Sequence, residues 1–582
     1  MRGGRRAVWG GLALGTALAV ACVSSGRPGG GPAQANTGSR PISAYPPRNL
    51  AELKPQTRAE RSNFTETSLY TDVMTFIDSL RSMDTGAVHV DTIGTSTRGR
   101  PIPMVVVSRP LVRNAADAKR LNRPIVLVQA NIHGGEVEGK EALLSILRDL
   151  TFDRYANALD SIVLVAVPIY NPDGNDSIGP QQRNRGSQNG PAMIGMRANG
   201  QGLDLNRDYI KAEAPETRAS LDLFRAWDPD VFVDLHTTNG SFHGYALTWA
   251  PPLNPAARFT GPFLRDTVLP ELRTILRDRL RMETFPYGNF VSQDSAERGW
   301  FTYDHRPRFG TNYYGIRGRM GILSEAYSHD PFNTRVASTY GFVMELLSLI
   351  ANNAVDFVET SRDADRRTTG FSTAPATAPS PPIAIRSRLT TKPRMAEVLV
   401  GEIERTGDSV RTEPGLRPGV RRTGSVQSVR MPVYDRFEPV LEQRLPYAWV
   451  IPAAQASLLE HLRRHGVFVE RAAVAGTVRA ERFLIDTVVR EARTFQGHQE
   501  VRLEGRWETV DAMPLDTSAY VIRGGHPLGI LALYLIEPQS DDGLVTWNFL
   551  DPWLPPAGAA SGAPYPIVRV LERIAVPLRP AR

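Results

Sequence analysis

Between residues 58 and 360 the chain alternates unbroken apolar runs with segments of helical period, a pattern that leaves few architectures open. Ile125 to Ala130, Ile162 to Val167, Val231 to Leu235 and Met320 to Ser324 are continuous apolar runs of strand length, the mark of strands buried on both faces. Helical spacing fills the intervals, through Leu69, Val73, Phe76, Ile77 and Leu80, then Glu138 to Leu150, Thr217 to Trp227 and Arg335 to Phe357. Two further strands, Val88 to Ile93 and Ile102 to Ser108, flank a Thr97-Arg98-Gly99-Arg100-Pro101 turn. The reading is α/β: a mixed, largely parallel sheet covered by helices on both faces. In such sheets ligands bind beyond the carboxyl ends of the strands, so polar residues at those ends are the ones to follow.

The remainder divides by composition. Arg2, Arg5 and Arg6 precede a small-residue and apolar run from Ala7 to Ala21, the layout of an export signal. A transmembrane span needs about 20 apolar residues, and this run is shorter. It ends Leu18-Ala19-Val20-Ala21-Cys22, which resembles a bacterial lipobox with the only cysteine of the chain at the lipid-accepting position. The expectation is an export signal over 1–22, followed by attachment of the exported chain in the bacterial cell envelope, periplasmic or at the outer membrane, through lipidated Cys22, with secretion after a plain cleavable signal as the second choice, and a flexible tether over 23–57 rich in Gly, Pro and Ser. The α/β domain follows over 58–360, then a linker over 361–394 rich in Thr, Ala, Pro and Ser. A smaller α+β domain over 395–582 closes the chain, and no chemistry attaches to it. Basic residues number 68 against 61 acidic, with no Lys/Arg block that could track phosphates, so nucleic acid is not an expected partner.

A lone cysteine also excludes a disulfide framework and any metal site built on several thiolates. A metal must sit on histidine and carboxylate. After the strand ending at Ala130 comes Asn131-Ile132-His133-Gly134-Gly135-Glu136. A His and a Glu three residues apart at a strand-to-helix turn can face one ion, supplying two of the three protein ligands of a catalytic zinc. The run Val231 to Leu235 delivers His236 at its carboxyl end, and the run from Met320 delivers Glu325. Each has an ordinary structural role when taken alone; together His133, Glu136 and His236 make a His₂Glu set with a fourth position open to water.

Between these lie Asn171-Pro172-Asp173-Gly174 and Arg197 to Tyr209, the latter containing Leu203-Asp204-Leu205-Asn206-Arg207. In this order, with Gly99-Arg100-Pro101-Ile102 ahead of them, the motifs resemble the zinc carboxypeptidase family, the carboxypeptidase A-like metallopeptidases, over roughly 60 to 350. The resemblance implies one Zn²⁺ per chain on His133, Glu136 and His236, with Glu325 as general base and then acid. It also implies Arg197 as the stabiliser of the oxyanion, and Asn206 with Arg207 as the clamp on a substrate's terminal carboxylate. A mobile tyrosine should precede the catalytic Glu, and Tyr313 or Tyr314 is the expected one. Gly135 stands where digestive members carry an arginine, and Asp208 where Asn is common. The function implied is hydrolysis of a peptide substrate near its free carboxylate. Peptidoglycan peptides and N-acyl amino acids are alternative substrates for such a site, and a catalytically silent surface-binding module is the alternative from another class. The 287–320 region is expected to build the side-chain pocket, with Asp294, Asp304 or Arg308 setting its charge.

Overall fold

The computed structural model describes residues 53–83, 86–152, 158–371, 380–407, 419–556 and 562–581. The expected export signal, Cys22 and nearly all of the expected tether lie outside the described residues. The first part of the chain builds strands β1 (Val88–Thr95), β2 (Pro101–Val107), β3 (Ile125–Ala130), β4 (Val163–Val167), β5 (Val231–Thr237), β6 (Leu247–Ala250), β7 (Thr284–Pro286) and β8 (Met320–Ala326). Its main helices are α1 (Tyr70–Met83), α2 (Glu138–Thr151), α3 (Pro215–Trp227), α4 (Leu269–Leu280), α5 (Gly310–Ile316), α6 (Phe332–Asn352) and α7 (Ala354–Phe371).

The strands form one sheet in the order β1-β2-β4-β3-β5-β8-β6-β7. Its inner strands β4, β3, β5 and β8 are parallel, while β1, β2 and β6 enter antiparallel to their inner neighbours. The sheet is therefore mixed, with a parallel centre. Alternation along the strands sorts the side chains onto two faces. Val126, Val128, Val231, Val233 and Leu235 pack under α1, α2, α4 and α6. Ile125, Leu127 and Phe232 face the other way, toward Leu221 and Phe224 of α3 and Tyr313 and Tyr314 of α5. The parallel centre brings the carboxyl ends of β3, β5 and β8 side by side, and the candidate ligands sit at those ends.

Two boundaries differ from expectation. The helix expected over Arg335 to Phe357 is two helices, α6 and α7, that meet at an 82° bend. The second continues to Phe371 with Phe357, Val358, Ser361, Ala364 and Thr368 buried, so the first third of the expected linker is helix. Beyond Val358 its buried positions, Ser361, Ala364 and Thr368, are small, and carry helical spacing without an apolar signal. Ile383–Leu389 is a strand paired with Phe437–Gln443, which removes the far end of the linker as well.

The C-terminal part is built on two long hairpins, β9 (Arg394–Arg405) with β10 (Val420–Tyr434), and β11 (Gly476–Phe495) with β12 (His498–Leu515), plus helices α8 (Ser457–Arg464) and α9 (Gly529–Ile536). Among the described residues it has small apolar clusters of its own but no main core separate from the first part's. Trp449, Phe483, Leu531, Leu533 and Trp547 belong to the same apolar cluster as Leu127, Phe224 and Tyr314, and the end of β10 pairs in parallel with Trp300 and Phe301.

Candidate active site

Asn131 leaves β3 with φ +63°, a left-handed conformation that asparagine tolerates better than most residues. Its amide Nδ2 lies within 3.1–3.4 Å of the carbonyl oxygens of His133, Gly134 and Glu136, tying the turn together. Asn171 braces the turn from outside: it donates to Ile132 O at 3.0 Å and Arg197 O at 3.3 Å, and accepts from Gly174 N at 2.9 Å. This explains the Asn-Pro-Asp-Gly stretch as scaffold. Asp173, next in it, accepts from the backbone N–H of Arg98 at 2.8 Å.

The turn and β5 bring His133, Glu136 and His236 together, with one ligand atom from each within 4.8 Å of the others and all three buried. Nδ1 of His133 lies 3.0 Å from Oε1 of Glu136, and Nδ1 of His236 lies 3.0 Å from Oε2. The far nitrogens face carboxylates: Nε2 of His133 is 3.1 Å from Asp204 Oδ1, and Nε2 of His236 is 3.0 Å from Asp234 Oδ2. A carboxylate at Nε2 fixes the tautomer that leaves Nδ1 free to bind a metal. Two imidazole nitrogens and a carboxylate at this spacing suit zinc. Burial pushes the Glu136 carboxyl up, but Arg185 and His133 overcome it and hold it well below the usual carboxylate range. Burial pulls His236 down, yet Asp234 and Glu136 raise it well above the ordinary histidine value. A metal would displace that proton, so its binding is pH-dependent.

Glu325 stands beside His236, paired with it in the parallel register of β8 on β5. Its Oε2 is buried and has no hydrogen-bond partner among the described residues. Burial pushes its carboxyl up to about 8, with Glu136 adding to the shift and His236 opposing it. Arg197 binds Asp204 through Nε and Nη2, both at 2.9 Å, and lies 3.6 Å from Glu136 with its side chain 40% exposed. Asn206 accepts the N–H of Gly310 at 3.0 Å and places Nδ2 3.4 Å from His236 Nε2. Arg207 stacks on Phe309 at 3.9 Å, and burial lowers its pKa.

Neither expected tyrosine reaches this site. Tyr313 is fully buried and its hydroxyl bonds His465 Nδ1 at 2.7 Å; Tyr314 is fully buried, stacked on Phe224, with its hydroxyl on Ser220. Both belong to helix α5, whose packing face points into the sheet. The tyrosines whose ionisation the Glu325 charge opposes are Tyr287 and Tyr303. Their hydroxyls are held by Asn239 and Asn289, and by Thr311. Sequence order alone could not separate four tyrosines ahead of Glu325. The three charges expected to set the side-chain pocket are all compensated, Asp294 by Arg405, Asp304 by Arg306, and Arg308 by Glu500 and Asp542. One cation was not foreseen: Arg185 lies 2.7 Å from Glu136 Oε1 and also donates to the carbonyls of Thr237 and Thr238.

Residues 73–254 match the family model described as zinc carboxypeptidase. Over that segment, under a third of its length, the chain is similar to the zinc carboxypeptidase family. The match holds His133, Glu136, Arg197, Asn206, Arg207 and His236 but stops before Glu325, whose place rests on the strand register. Mouse (Mus musculus) carboxypeptidase M is 27% identical over 209 residues, 34% of this chain and 42% of that protein. Carboxypeptidase 2 of Trichophyton rubrum is 21% identical over 490 residues, 82% of this chain and 81% of that one. The chain thus spans under half the length of the mouse relative. A metallo-carboxypeptidase structure from Burkholderia cenocepacia aligns over 49% of this chain and 70% of its own, at 17% identity and a TM-score of 0.35.

Proposed function

We propose that this chain is a zinc metallocarboxypeptidase, hydrolysing the peptide bond next to a substrate's free carboxylate. The observation that carries the reading is the unpartnered carboxyl of Glu325, in register with His236 at the edge of the buried His133, Glu136 and His236 set. Zinc held by that set would supply Lewis-acid polarisation of the scissile carbonyl and acidify a water. The guanidinium of Arg207, 3.9 Å over the Phe309 ring, and the amide of Asn206 take the terminal carboxylate, a planar anion that suits such donors. That contact fixes which bond lies at the metal, converting binding energy into orientation. Arg197 has an exposed edge beside Glu136 and offers N–H groups to the oxygen that becomes negative as water adds. Glu325 accepts the water proton at Oε2 and delivers it to the leaving nitrogen as the C–N bond breaks, while the water oxygen stays with the acyl product.

The test is a zinc assay and a peptide panel on the full chain. About one zinc per chain is expected, with free-carboxyl peptides trimmed by one residue and their amides left intact. Glu325→Gln should lower turnover by about 10²–10⁴-fold with zinc retained. A zinc-loaded protein that cuts amides as fast as free acids would overturn the clamp, and full activity in Glu325→Gln would overturn the base. The amino-terminal pattern supports export and lipidation at Cys22, which Cys22→Ser should abolish, measured as loss of the acylated amino-terminal peptide by mass spectrometry.

A further inference from the structure

The segment 203–213, which carries Asp204, Asn206 and Arg207, is gripped along its length by the C-terminal part of the chain. The backbone N–H of Asp204 donates to the side-chain oxygen of Gln496 at 3.0 Å. Ile210 O faces Nε2 of His461 at 2.8 Å and of His465 at 3.2 Å. Lys211 lies over the Trp547 ring at 5.2 Å, and Glu213 pairs with His498 at 2.8 Å. Gln496 sits at the tip between β11 and β12, where it and Gly497 adopt φ +49° and +84°, the twisted two-residue turn of a tight hairpin. His498 and Glu500 fall on one side of β12, and with Gln496 at the tip all three reach toward the first part of the chain.

The second segment of the clamp is held from the same direction. Glu500 pairs with Arg306 at 3.2 Å and Arg308 at 2.6 Å, and Asp542 pairs with Arg308 at 2.8 Å. These arginines directly precede Phe309 and Gly310, the residues that support Arg207 and Asn206. The acids also decide which guanidinium is available. Arg308, near enough to Arg207 to affect its charge, is neutralised by two carboxylates. Arg207 makes its one hydrogen bond among the described residues to the carbonyl of Asn206.

We infer that Gln496, His498 and Glu500 of the C-terminal hairpin are positioning residues for the terminal-carboxylate clamp. The hairpin holds segment 203–213 against the metal site, and Glu500 occupies Arg308 so that Arg207 is the arginine left for substrate. This rests on the carboxypeptidase reading above. The C-terminal part then sets substrate affinity without touching the reacting atoms.

The test is the full chain carrying Gln496→Asn, His498→Ala and Glu500→Gln; asparagine tolerates the left-handed tip. The KM for a free-carboxyl peptide should rise about tenfold or more, with kcat changed less than about threefold and zinc retained. Amide exchange in 203–213 should quicken while β3 and β5 stay protected. An unchanged KM with unchanged exchange would overturn the inference. So would loss of zinc with KM unaffected. If the triple variant does not fold, Glu500→Gln alone should raise KM, and a KM equal to the native value would overturn the inference. If native protein ignores the free carboxylate, the clamp reading fails instead, and the exchange measurement still decides whether the hairpin holds the segment.

Discussion

Arg185 places a guanidinium nitrogen 2.7 Å from Oε1 of Glu136 while its other arm holds the carbonyls that follow His236. It therefore fixes one ligand and the strand end of another. A cation beside a ligand carboxylate weakens it as a donor, but holding two ligands in place acts in the opposite sense, and supporting groups of this kind are worth about 10–100-fold in metal affinity. Orientation should win, so Arg185→Gln is expected to lose zinc to a competing chelator about tenfold more readily, read by competition titration. Nothing in Gln181-Gln182-Arg183-Asn184-Arg185 announces this role, because the contact spans 49 residues and depends on how a loop returns to the sheet. His133, Glu136 and His236 were legible because a strand end aims a side chain wherever the sheet lies. The tyrosines were not: Tyr313 and Tyr314 face the core, a matter of which side of α5 packs inward.

Two chain segments, at Gly174 and Gly195, meet the ligand turn at Gly134 with no side chain between them. A Cβ on Gly195 would lie 2.4 Å from Gly174 O and 2.5 Å from Gly134 O, and one on Gly134 would lie 2.2 Å from the Gly174 carbonyl carbon. The obstacles are backbone, so no rotamer can yield. Gly195→Ala should cost about 1–3 kcal/mol or more and empty the zinc site, because Gly134 lies between His133 and Glu136. Thermal melting and elemental analysis would show both. Gly99→Ala is the control: its φ is +78° with nothing within 4 Å, so it should cost about 1 kcal/mol from backbone strain and leave zinc bound. The central strands were readable as elements because burial on both faces leaves unbroken apolar runs. Helix α7 was lost in the expected linker because Ser361, Ala364 and Thr368 fill its buried positions.

Across the molecule, buried charge makes stability depend on pH. Burial pushes Asp330, 8% exposed, up to about 7, with Arg335 and Arg422 opposing. The unfolded value is about 3.9, so the folded chain holds this proton more tightly. The contribution is complete below about pH 4, falls as pH rises and is gone above about pH 7. Asp330→Asn, which stays neutral, should melt with the native chain near pH 4 and about 2 °C or more above it at pH 8, by calorimetry. The same scale explains what could be read without coordinates. Local pattern determined the sheet, its parallel centre and the residues at its carboxyl edge, because strand burial and strand ends are short-range properties of the sequence. Only the tertiary structure decided that the C-terminal part shares the main apolar cluster, that Gln496 reaches Asp204 across 292 residues, and that Arg207 has no ion pair among the described residues while Arg308 has two. Those outcomes depend on which surfaces meet in space, and neither composition nor periodicity encodes that meeting at any single position.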